Sequence, residues 1–436
     1  MWGCSALVVG NMIGSGVFLL PASLAPYGSV SIVGWCVTSL GAIVLALVFG
    51  RLARISTRTG GPYAWTRDGF DDFAGFLVAW GYWIALWAGN AAVAVAFTGY
   101  LGFFFPLIGQ NPGAGLFVAL VAIWTVALVN VRGIQGASLV QMVTTVLKIL
   151  PLLAVIVLGL AYLQPDNLQP FNPSGGSIGA GIAATAALTL WAFLGLESAT
   201  VPAGDVQDPA RTIPIATIVG VLLTASIYIL VTVAVFGLMP REDLAQSTAP
   251  LADAMRNVAG ATGGALIALG ACISTFGTLN GFTLLTGQIP LGAARDGVFP
   301  RWFERTTEAG TPARALVVSS LLSSGLVAMN FSKGLVDQFN FIILLATLTT
   351  LVPYIFCALA EIMIWLRNGR ATRPPRWPAF VLGGMAFVYS IWAVYGAGKD
   401  VVYFGFLLLL LGVPVHVAIT WRSGAPATSD AERRRA

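Results

Sequence analysis

A break in the first apolar run of the sequence combines glycine, serine and amide residues, where residues 10–21 read GNMIGSGVFLLP. Gly14 and Gly16 flank Ser15 and weaken a helix there, and the proline that follows has no N–H to donate. A helix that starts after the break presents free N–H groups and a positive dipole end, which favour an anion such as a carboxylate. The carbonyls released from Met12 to Gly14 favour a cation such as an ammonium. Together these two charges match the backbone of a free amino acid.

A second break of the same kind lies near the middle of the chain, where residues 190–199 read LWAFLGLESA and a proline follows. It too combines a glycine, Gly195, with a polar pair that begins at Glu197. Backbone groups freed at such breaks cannot face lipid, because each unsatisfied group there costs several kcal/mol. They must face protein, water or a ligand, and the carbonyls from Trp191 to Leu194 would extend the cation site.

Two ionisable side chains, Glu197 and Lys148, lie well inside apolar runs. Charged groups at such positions are costly and tend to be functional. Because desolvation disfavours the charged form, either group can exchange a proton in a working cycle. We expect Lys148 to brace the fifth helix against the first, near Gly10 to Gly14. The alternative is a purely structural lysine that donates to the carbonyls of the broken helix.

Helices in a membrane must position these groups. The 436-residue chain is 57% hydrophobic and only 9% charged, too little charge for the surface of a soluble domain. Its apolar runs are each long enough to cross a hydrocarbon layer of about 30 Å. The first run is a retained helix and not a secretory signal, because no basic stretch precedes it. We predict an all-α membrane protein with twelve spans at residues 2–25, 30–53, 73–105, 113–131, 138–163, 178–204, 212–239, 262–291, 313–331, 338–366, 377–396 and 401–421.

The basic residues predict the orientation of these spans. Of the 23 Lys and Arg residues, 18 fall on one side of the predicted membrane and 4 on the other, with Lys148 inside a helix. By the positive-inside rule both termini are cytoplasmic, and residues 422–436 form a cytoplasmic tail. We therefore expect a multi-pass protein of the cell (inner) membrane.

The two breaks fall in the first and sixth predicted spans. A repeat of five spans is inverted relative to its partner, so residues 1–163 and 178–366 are expected to form an inverted repeat, followed by two further helices at 377–421. Broken helices that meet near the midplane of such repeats are typical of the substrate site of a secondary transporter. Unrelated kinks in a channel or a membrane enzyme are the alternative, but the sequence shows no charge ring and no metal or nucleophile cluster.

Other chemistry is not indicated by the sequence. The four cysteines lie singly in apolar runs, where a thiol behaves as a small hydrophobe, and the only histidine is His416. Zinc sites and Ser-His-Asp catalysis therefore lack their usual residues. We expect no enzymatic activity, no cofactor, no metal and no nucleic-acid partner.

Several long motifs resemble one known superfamily. They read GNMIGSGVFLLPASLA, YWIALWAGN, WAFLGLESA followed by DPARTIPIA, STAP, GQIPLGAARDGVFP and LVPYIF, and they run nearly end to end. The chain is similar to the amino acid–polyamine–organocation (APC) superfamily, and most similar to its basic amino acid/polyamine antiporters of the arginine/agmatine type. This resemblance implies a LeuT-type fold, which is a 5+5 inverted repeat with broken helices 1 and 6, and alternating access.

The resemblance also implies a substrate site. Ser15 and the amide of Gly16 would hold the substrate carboxylate. The carbonyls of Met12, Trp191 and Leu194 would receive the α-ammonium. The complete set of substrate-binding residues implied in this way is Asn11, Met12, Ile13, Gly14, Ser15, Gly16, Asn90, Trp191, Leu194 and Phe282.

Gating and coupling roles are implied in the same way. Tyr82 would be an outer-gate aromatic, Trp191 a gate on the cytoplasmic side, and Glu197 a proton sensor. Asn90 would contact the distal end of the substrate, and the alternative is that it only forms an interhelical hydrogen bond. The alternative for Tyr82 is that it only packs helices together. The predicted gating and coupling residues are Tyr82, Trp191, Glu197 and Lys148.

Two residues depart from the arginine/agmatine pattern. Phe282 stands where that type of antiporter has a tryptophan, so the apolar contact stays while the cation–π surface is weaker. Lys148 stands where arginine/agmatine antiporters have a small apolar residue. At this position the chain resembles proton-coupled carriers of neutral amino acids. The sequence therefore predicts an amino acid/amine antiporter, with proton-coupled uptake of neutral amino acids as the alternative. The expected partners are the substrate and the lipid bilayer, and protons and a second copy of the chain are candidates.

Overall fold

The computed structural model describes residues 2–55, 61–132, 137–197, 200, 206, 208–330, 332–367 and 377–423. Within these residues the secondary structure is entirely helical. The α-helices are α1 (Trp2–Met12), α2 (Ser15–Leu24), α3 (Val30–Ile55), α4 (Pro62–Gly69), α5 (Asp72–Gly102), α6 (Pro106–Gln110), α7 (Pro112–Val131), α8 (Ala137–Ala161), α9 (Ile178–Leu190), α10 (Pro209–Leu238), α11 (Arg241–Gln246), α12 (Pro250–Arg295), α13 (Ala313–Asn330), α14 (Leu335–Arg367), α15 (Trp377–Gly396), α16 (Lys399–Leu410) and α17 (Gly412–Ser423).

Many of these helices can cross a membrane. In the described part of the chain, 8 helical stretches have the length and apolarity for it, and they are Val30–Ile55, Asp72–Gly102, Pro112–Val131, Arg211–Leu238, Pro250–Arg295, Leu335–Arg367, Trp377–Gly396 and Lys399–Trp421. Three shorter apolar helices lie at Leu147–Ala161, Ile178–Phe193 and Ala313–Met329. The predicted all-helical membrane class is thus confirmed, whereas the predicted number of twelve spans stays a prediction.

Both predicted breaks are present. α1 ends at Met12 and α2 starts at Ser15, and Gly14 between them has a non-helical backbone with φ −138° and ψ −141°. α9 ends at Leu190 and continues as a single 3-10 turn, Trp191–Phe193. Gly195 follows with φ +101°, a conformation that side chains other than glycine rarely adopt. The short polar and glycine motifs therefore predicted these helix ends.

Burial separates the helices that surround the breaks from those at the periphery. In α5, 89% of the most apolar window is buried inside the protein, compared with 11% for the stretch Lys399–Trp421. A helix of a membrane protein that is apolar and largely unburied has its side chains available to lipid. α5 thus belongs to the interior, and α16 and α17 lie at the periphery.

One end of the helix assembly is rich in arginine, and we refer to it as the arginine-rich end. The guanidinium of Arg51 on α3 binds Glu361 on α14 through two hydrogen bonds of 2.7 and 2.6 Å. Arg67 on α4 binds Asp72 at the start of α5 at 2.7 Å. Arg367 donates to carbonyls of the α4–α5 segment. These contacts place the ends of α3 and α14 and the start of α5 together.

Candidate functional site

The start of α2 forms one wall of the candidate site. Gly14 precedes the helix and has no side chain to cap its first N–H groups. Ser15 and Gly16 are buried, and the indole Nε1 of Trp191 donates to the hydroxyl of Ser15 at 3.2 Å. Uncapped N–H groups at the positive end of a helix dipole can bind a carboxylate. The structure thus brings the two breaks together at the predicted anion site.

Both glycines of this break are required by close packing. A Cβ atom at Gly16 would lie 2.9 Å from the Cβ of Ala192, in the second break. A Cβ at Gly14 would lie 2.7 Å from Cγ2 of Thr278 on α12. Carbon atoms pack at about 3.5–4.0 Å, so neither position accepts a larger residue without movement. From the sequence, these glycines were expected to weaken the helix. The structure shows a second reason for them, because the two breaks approach too closely for a larger residue.

A small cavity lies between the breaks. Its volume is about 10 Å³, which is close to the minimum that one water molecule needs. An amino acid with a long side chain requires more space, so the walls must separate to admit it. The residues that line the cavity are Asn11, Met12, Gly14, Ser15, Gly16, Val93, Trp191, Ala192, Leu194, Thr278 and Phe282.

Most of the predicted substrate-binding residues are in this lining, and two are not. Ile13 is fully buried, and its N–H still donates to the carbonyl of Val9 at 2.8 Å, as in a helix. Asn90 lies on α5 beside the cavity and outside its lining. Three lining residues, Val93, Ala192 and Thr278, were not predicted.

Two aromatic rings face each other at the cavity. The centroids of Trp191 and Phe282 are 6.3 Å apart with an interplanar angle of 80°, an edge-to-face contact. A Cβ at Gly89 on α5 would lie 3.0 Å from the Trp191 ring and 3.1 Å from the Phe282 ring. Gly89 therefore allows α5 to contact both rings. Gly89 was not predicted as a site residue, although it lies inside the motif YWIALWAGN.

Asn90 makes one interhelical contact and has spare hydrogen-bonding capacity. Its side-chain amide donates to the hydroxyl of Thr283 on α12 at 3.2 Å. The carboxamide is 3% exposed, and its other end has no partner among the described residues. Buried polar atoms of this kind are rare in proteins and need an explanation. The interhelical hydrogen bond is present, and the free end leaves a substrate contact open.

Glu197 lies in a closed cluster with two tyrosines. The hydroxyl of Tyr82 on α5 donates to Oε1 at 2.7 Å, and that of Tyr354 on α14 donates to Oε2 at 2.9 Å. The Glu197 side chain is 1% exposed. Both oxygens are therefore satisfied without a cation. Tyr354 was not predicted, although the motif LVPYIF contains it.

The position of this cluster is difficult to combine with the predicted sides of the two gates, if the arginine-rich end is cytoplasmic as predicted. Tyr82 lies nearer than Asn90 to Asp72, which binds Arg67 at the arginine-rich end. Glu197 contacts Tyr82, so Glu197 lies between Trp191 and that end. The arginine-rich end is the predicted cytoplasmic side, and an outer-gate position for Tyr82 does not fit this order. The motif that contains Tyr82 carried no information about the depth of this residue in the membrane.

Lys148 reaches the first break from α8. Its ammonium is 1% exposed and donates to the carbonyl of Gly10 at 3.0 Å and to the hydroxyl of Thr278 at 2.8 Å. The predicted contact between the fifth span and the first is therefore present. Within the described residues Lys148 has no carboxylate partner. Thr278 also bonds to the carbonyl of Ser274 at 3.0 Å, so it links the buried cation to the cavity wall.

Comparison with known proteins identifies the family. A family model described as "Amino acid permease" matches residues 1–422. The chain belongs to the amino acid permease family. The predicted APC superfamily is thereby confirmed, and this permease is a multi-pass membrane protein of a transporter family.

Curated relatives of this permease align over nearly its whole length. A protein of Bacillus subtilis (strain 168), named as an inferred arginine/ornithine antiporter, is 34% identical over 450 residues, which cover 95% of each chain. The arginine/ornithine antiporter of Pseudomonas aeruginosa is 32% identical over 445 residues, 98% of the permease and 92% of the relative. The putrescine transporter PotE of Escherichia coli (strain K12) is 30% identical over 422 residues, 95% of the permease and 94% of the relative.

Proposed function

We propose that this permease is a secondary active antiporter that exchanges a basic amino acid for a related amino acid or amine by alternating access. The observation that carries the proposal is the cavity enclosed by the two helix breaks, where the uncapped start of α2 meets Trp191. The names of the relatives, two for arginine/ornithine antiport and one for putrescine transport, support this substrate class. Exchange of the arginine/agmatine type belongs to the same class.

Twelve spans in a 5+5 inverted repeat with two further helices are part of the proposal. The 8 long apolar helices and the 3 shorter ones supply all but the first span. α1 and α2, of 11 and 10 residues, would form that span together, because the break divides it. The repeats would cover residues 1–163 and 178–366. The arginine-rich end would face the cytoplasm of a cell with this permease in its inner membrane.

The substrate backbone would bind at the two breaks. Its carboxylate would accept hydrogen bonds from Ser15 and the first amides of α2. Its α-ammonium would donate to the carbonyls of Met12, Trp191 and Leu194. The carbonyl of Trp191 already accepts the N–H of Leu194 at 3.2 Å, and its second lone pair stays available. The substrate side chain would contact Phe282 and the free end of Asn90.

Two layers of side chains would gate this site. The contact of Trp191 with Phe282 would close it towards the outside. The cluster of Tyr82, Glu197 and Tyr354 would close it towards the cytoplasm. Opening either layer breaks specific contacts, as alternating access requires. Protonation of Glu197 would weaken the hydrogen bonds that its carboxylate accepts from Tyr82 and Tyr354. Proton binding would therefore loosen the layer that closes the site towards the cytoplasm.

Proton-coupled uptake of neutral amino acids is the alternative, and two residues favour it. Phe282 offers a weaker cation–π surface than a tryptophan, and Lys148, which contacts the first break, could release and rebind a proton during a transport cycle. The antiporter names of the relatives favour exchange.

Counterflow in liposomes separates the two functions. Purified permease is reconstituted, loaded with an excess of one unlabelled compound and diluted into labelled arginine. Arginine, agmatine, lysine, ornithine, putrescine and two neutral amino acids serve in turn as the internal compound. We expect label to accumulate with the basic amino acids or amines. Accumulation with neutral amino acids alone would overturn the proposed substrate class.

A further inference from the structure

A groove at the arginine-rich end has no role in the proposed transport cycle. One wall is the 3-10 turn Arg301–Glu304 between α12 and α13, and the other is α17. Its volume is about 600 Å³, which is within the range of pockets that hold small organic ligands. Arg301 and Trp302 line the first wall, and Val415, Ala418 and Ile419 line the second. The groove thus pairs one cation with an apolar surface.

The guanidinium of Arg301 is available for a ligand. The side chain is exposed, and it has no hydrogen bond or ion pair among the described residues. The nearest acidic residue of the preceding turn, Asp296, accepts a hydrogen bond from Tyr63 and lies 4.0 Å from Arg67. A second cation, Arg314, lies over the Trp302 ring at 5.1 Å from its centroid. Glu304 lies on the same 3-10 turn, but no ion pair joins it to Arg301 among the described residues, so the Arg301 guanidinium stays available for a ligand.

Exposed tryptophans place the groove at the level of lipid headgroups. Trp302 is 49% exposed, Trp377 at the start of α15 is 75% exposed, and Trp421 near the end of α17 is 85% exposed. Tryptophan is enriched where a membrane protein crosses from hydrocarbon to headgroups. The neighbouring His416 makes an edge-to-face contact with Phe73 near the start of α5, with the ring centroids 5.0 Å apart, so this part of α17 lies at the arginine-rich end.

The apolar wall continues towards the hydrocarbon. Leu411, which precedes α17, is 61% exposed, and Leu410 and Leu407 on α16 are 45% and 40% exposed. A molecule whose anionic head lies at Arg301 can therefore extend an apolar chain along α17 and α16. Phospholipids have this shape, and basic pockets between membrane helices are known to bind anionic headgroups.

We propose that this groove binds one anionic phospholipid. Its phosphate contacts Arg301, its glycerol region packs on Trp302, and one acyl chain follows α17 and α16. The apolar wall can hold the acyl chains of zwitterionic and anionic lipids alike. Arg301 attracts only a headgroup with a net negative charge, so the groove should bind anionic lipids more tightly than zwitterionic ones.

Native mass spectrometry of the delipidated permease, titrated with phosphatidylglycerol or phosphatidylcholine, tests this proposal. Removing one guanidinium near an anionic headgroup weakens binding by about fivefold. We therefore expect Arg301→Gln to weaken phosphatidylglycerol binding about fivefold and to leave phosphatidylcholine binding unchanged. The matched control is Arg305→Gln, because Arg305 is also exposed and lies outside the groove lining. The control should bind both lipids like the wild type.

Three results would overturn the lipid site. Equal losses in both variants would show only diffuse surface charge, and equal binding of both lipids by the wild type would show no headgroup recognition. A shift from dimer to monomer in Arg301→Gln, with unaltered lipid binding, would assign the groove to a second copy of the chain. Because mass spectrometry reads binding without transport, failure of the proposed antiport would leave these results unaffected.

Discussion

Replacing Gly16 by alanine tests whether the contact between the two helix breaks controls substrate binding. The new Cβ would lie 2.9 Å from the Cβ of Ala192 and 3.1 Å from its Cα. Restoring a carbon–carbon separation of about 3.5 Å requires a shift of roughly 0.6 Å. Alanine has no rotamer that relieves the overlap, so the backbone of one break must move. Overpacking of this kind costs about 1–3 kcal/mol, which corresponds to a loss of about 5- to 150-fold in affinity for arginine.

The assay is a titration of purified permease with arginine, followed by isothermal calorimetry or tryptophan fluorescence. The matched control is Gly179→Ala. Gly179 is also the second residue of its helix, α9, and a Cβ there meets nothing within 4 Å. Both variants gain the same helix propensity, so only the contact with Ala192 differs. An unchanged dissociation constant in Gly16→Ala, with the control also unchanged, would refute the proposed carboxylate site at α2.

Three further substitutions test the coupling groups and the substrate side chain. Glu197→Gln should flatten the pH dependence of arginine exchange, because it removes a titrating group from the proposed cytoplasmic gate. Lys148→Met should lower stability by about 1–3 kcal/mol, measured by thermal unfolding in detergent, because the carbonyl of Gly10 and the hydroxyl of Thr278 lose their donor. Phe282→Leu should weaken arginine binding about two- to fivefold, measured by the same titration, because a cation–π contact of about 0.5–1 kcal/mol is lost.

Each of these variants has a control with the same substitution at an exposed position, namely Glu308→Gln, Lys399→Met and Phe276→Leu. The controls should match the wild type. A wild-type pH profile in Glu197→Gln would contradict proton sensing by that residue. Equal melting temperatures of the two lysine variants would contradict the bracing contact, and equal arginine affinities of the two phenylalanine variants would contradict substrate contact at Phe282.

Local chain chemistry made the helix breaks predictable. Gly14, Ser15 and Gly16 cannot sustain a membrane helix, and the structure ends α1 and starts α2 at the expected residues. The contact between Lys148 and Gly10 was predictable for a similar reason, because a buried ammonium must find carbonyls and a broken helix supplies them.

Contacts between segments far apart in the sequence could not be predicted in the same way. Thr278 connects Lys148 to the cavity, but one threonine among many on α12 carries no distinguishing local signal. The predicted outer-gate side of Tyr82 stays a prediction, but the sequence could not show that Tyr82 contacts Glu197, which lies in a distant segment of the chain. Gly89 was missed because its importance comes from two rings on other helices.

Efflux from liposomes tests whether exchange at the cavity between the two breaks is obligatory. Liposomes containing the permease are loaded with labelled arginine and diluted into buffer with or without external ornithine. Under obligatory exchange, label stays inside in plain buffer and leaves rapidly when external ornithine is added. Equal efflux in both buffers, or efflux stimulated only by a neutral amino acid, would contradict it.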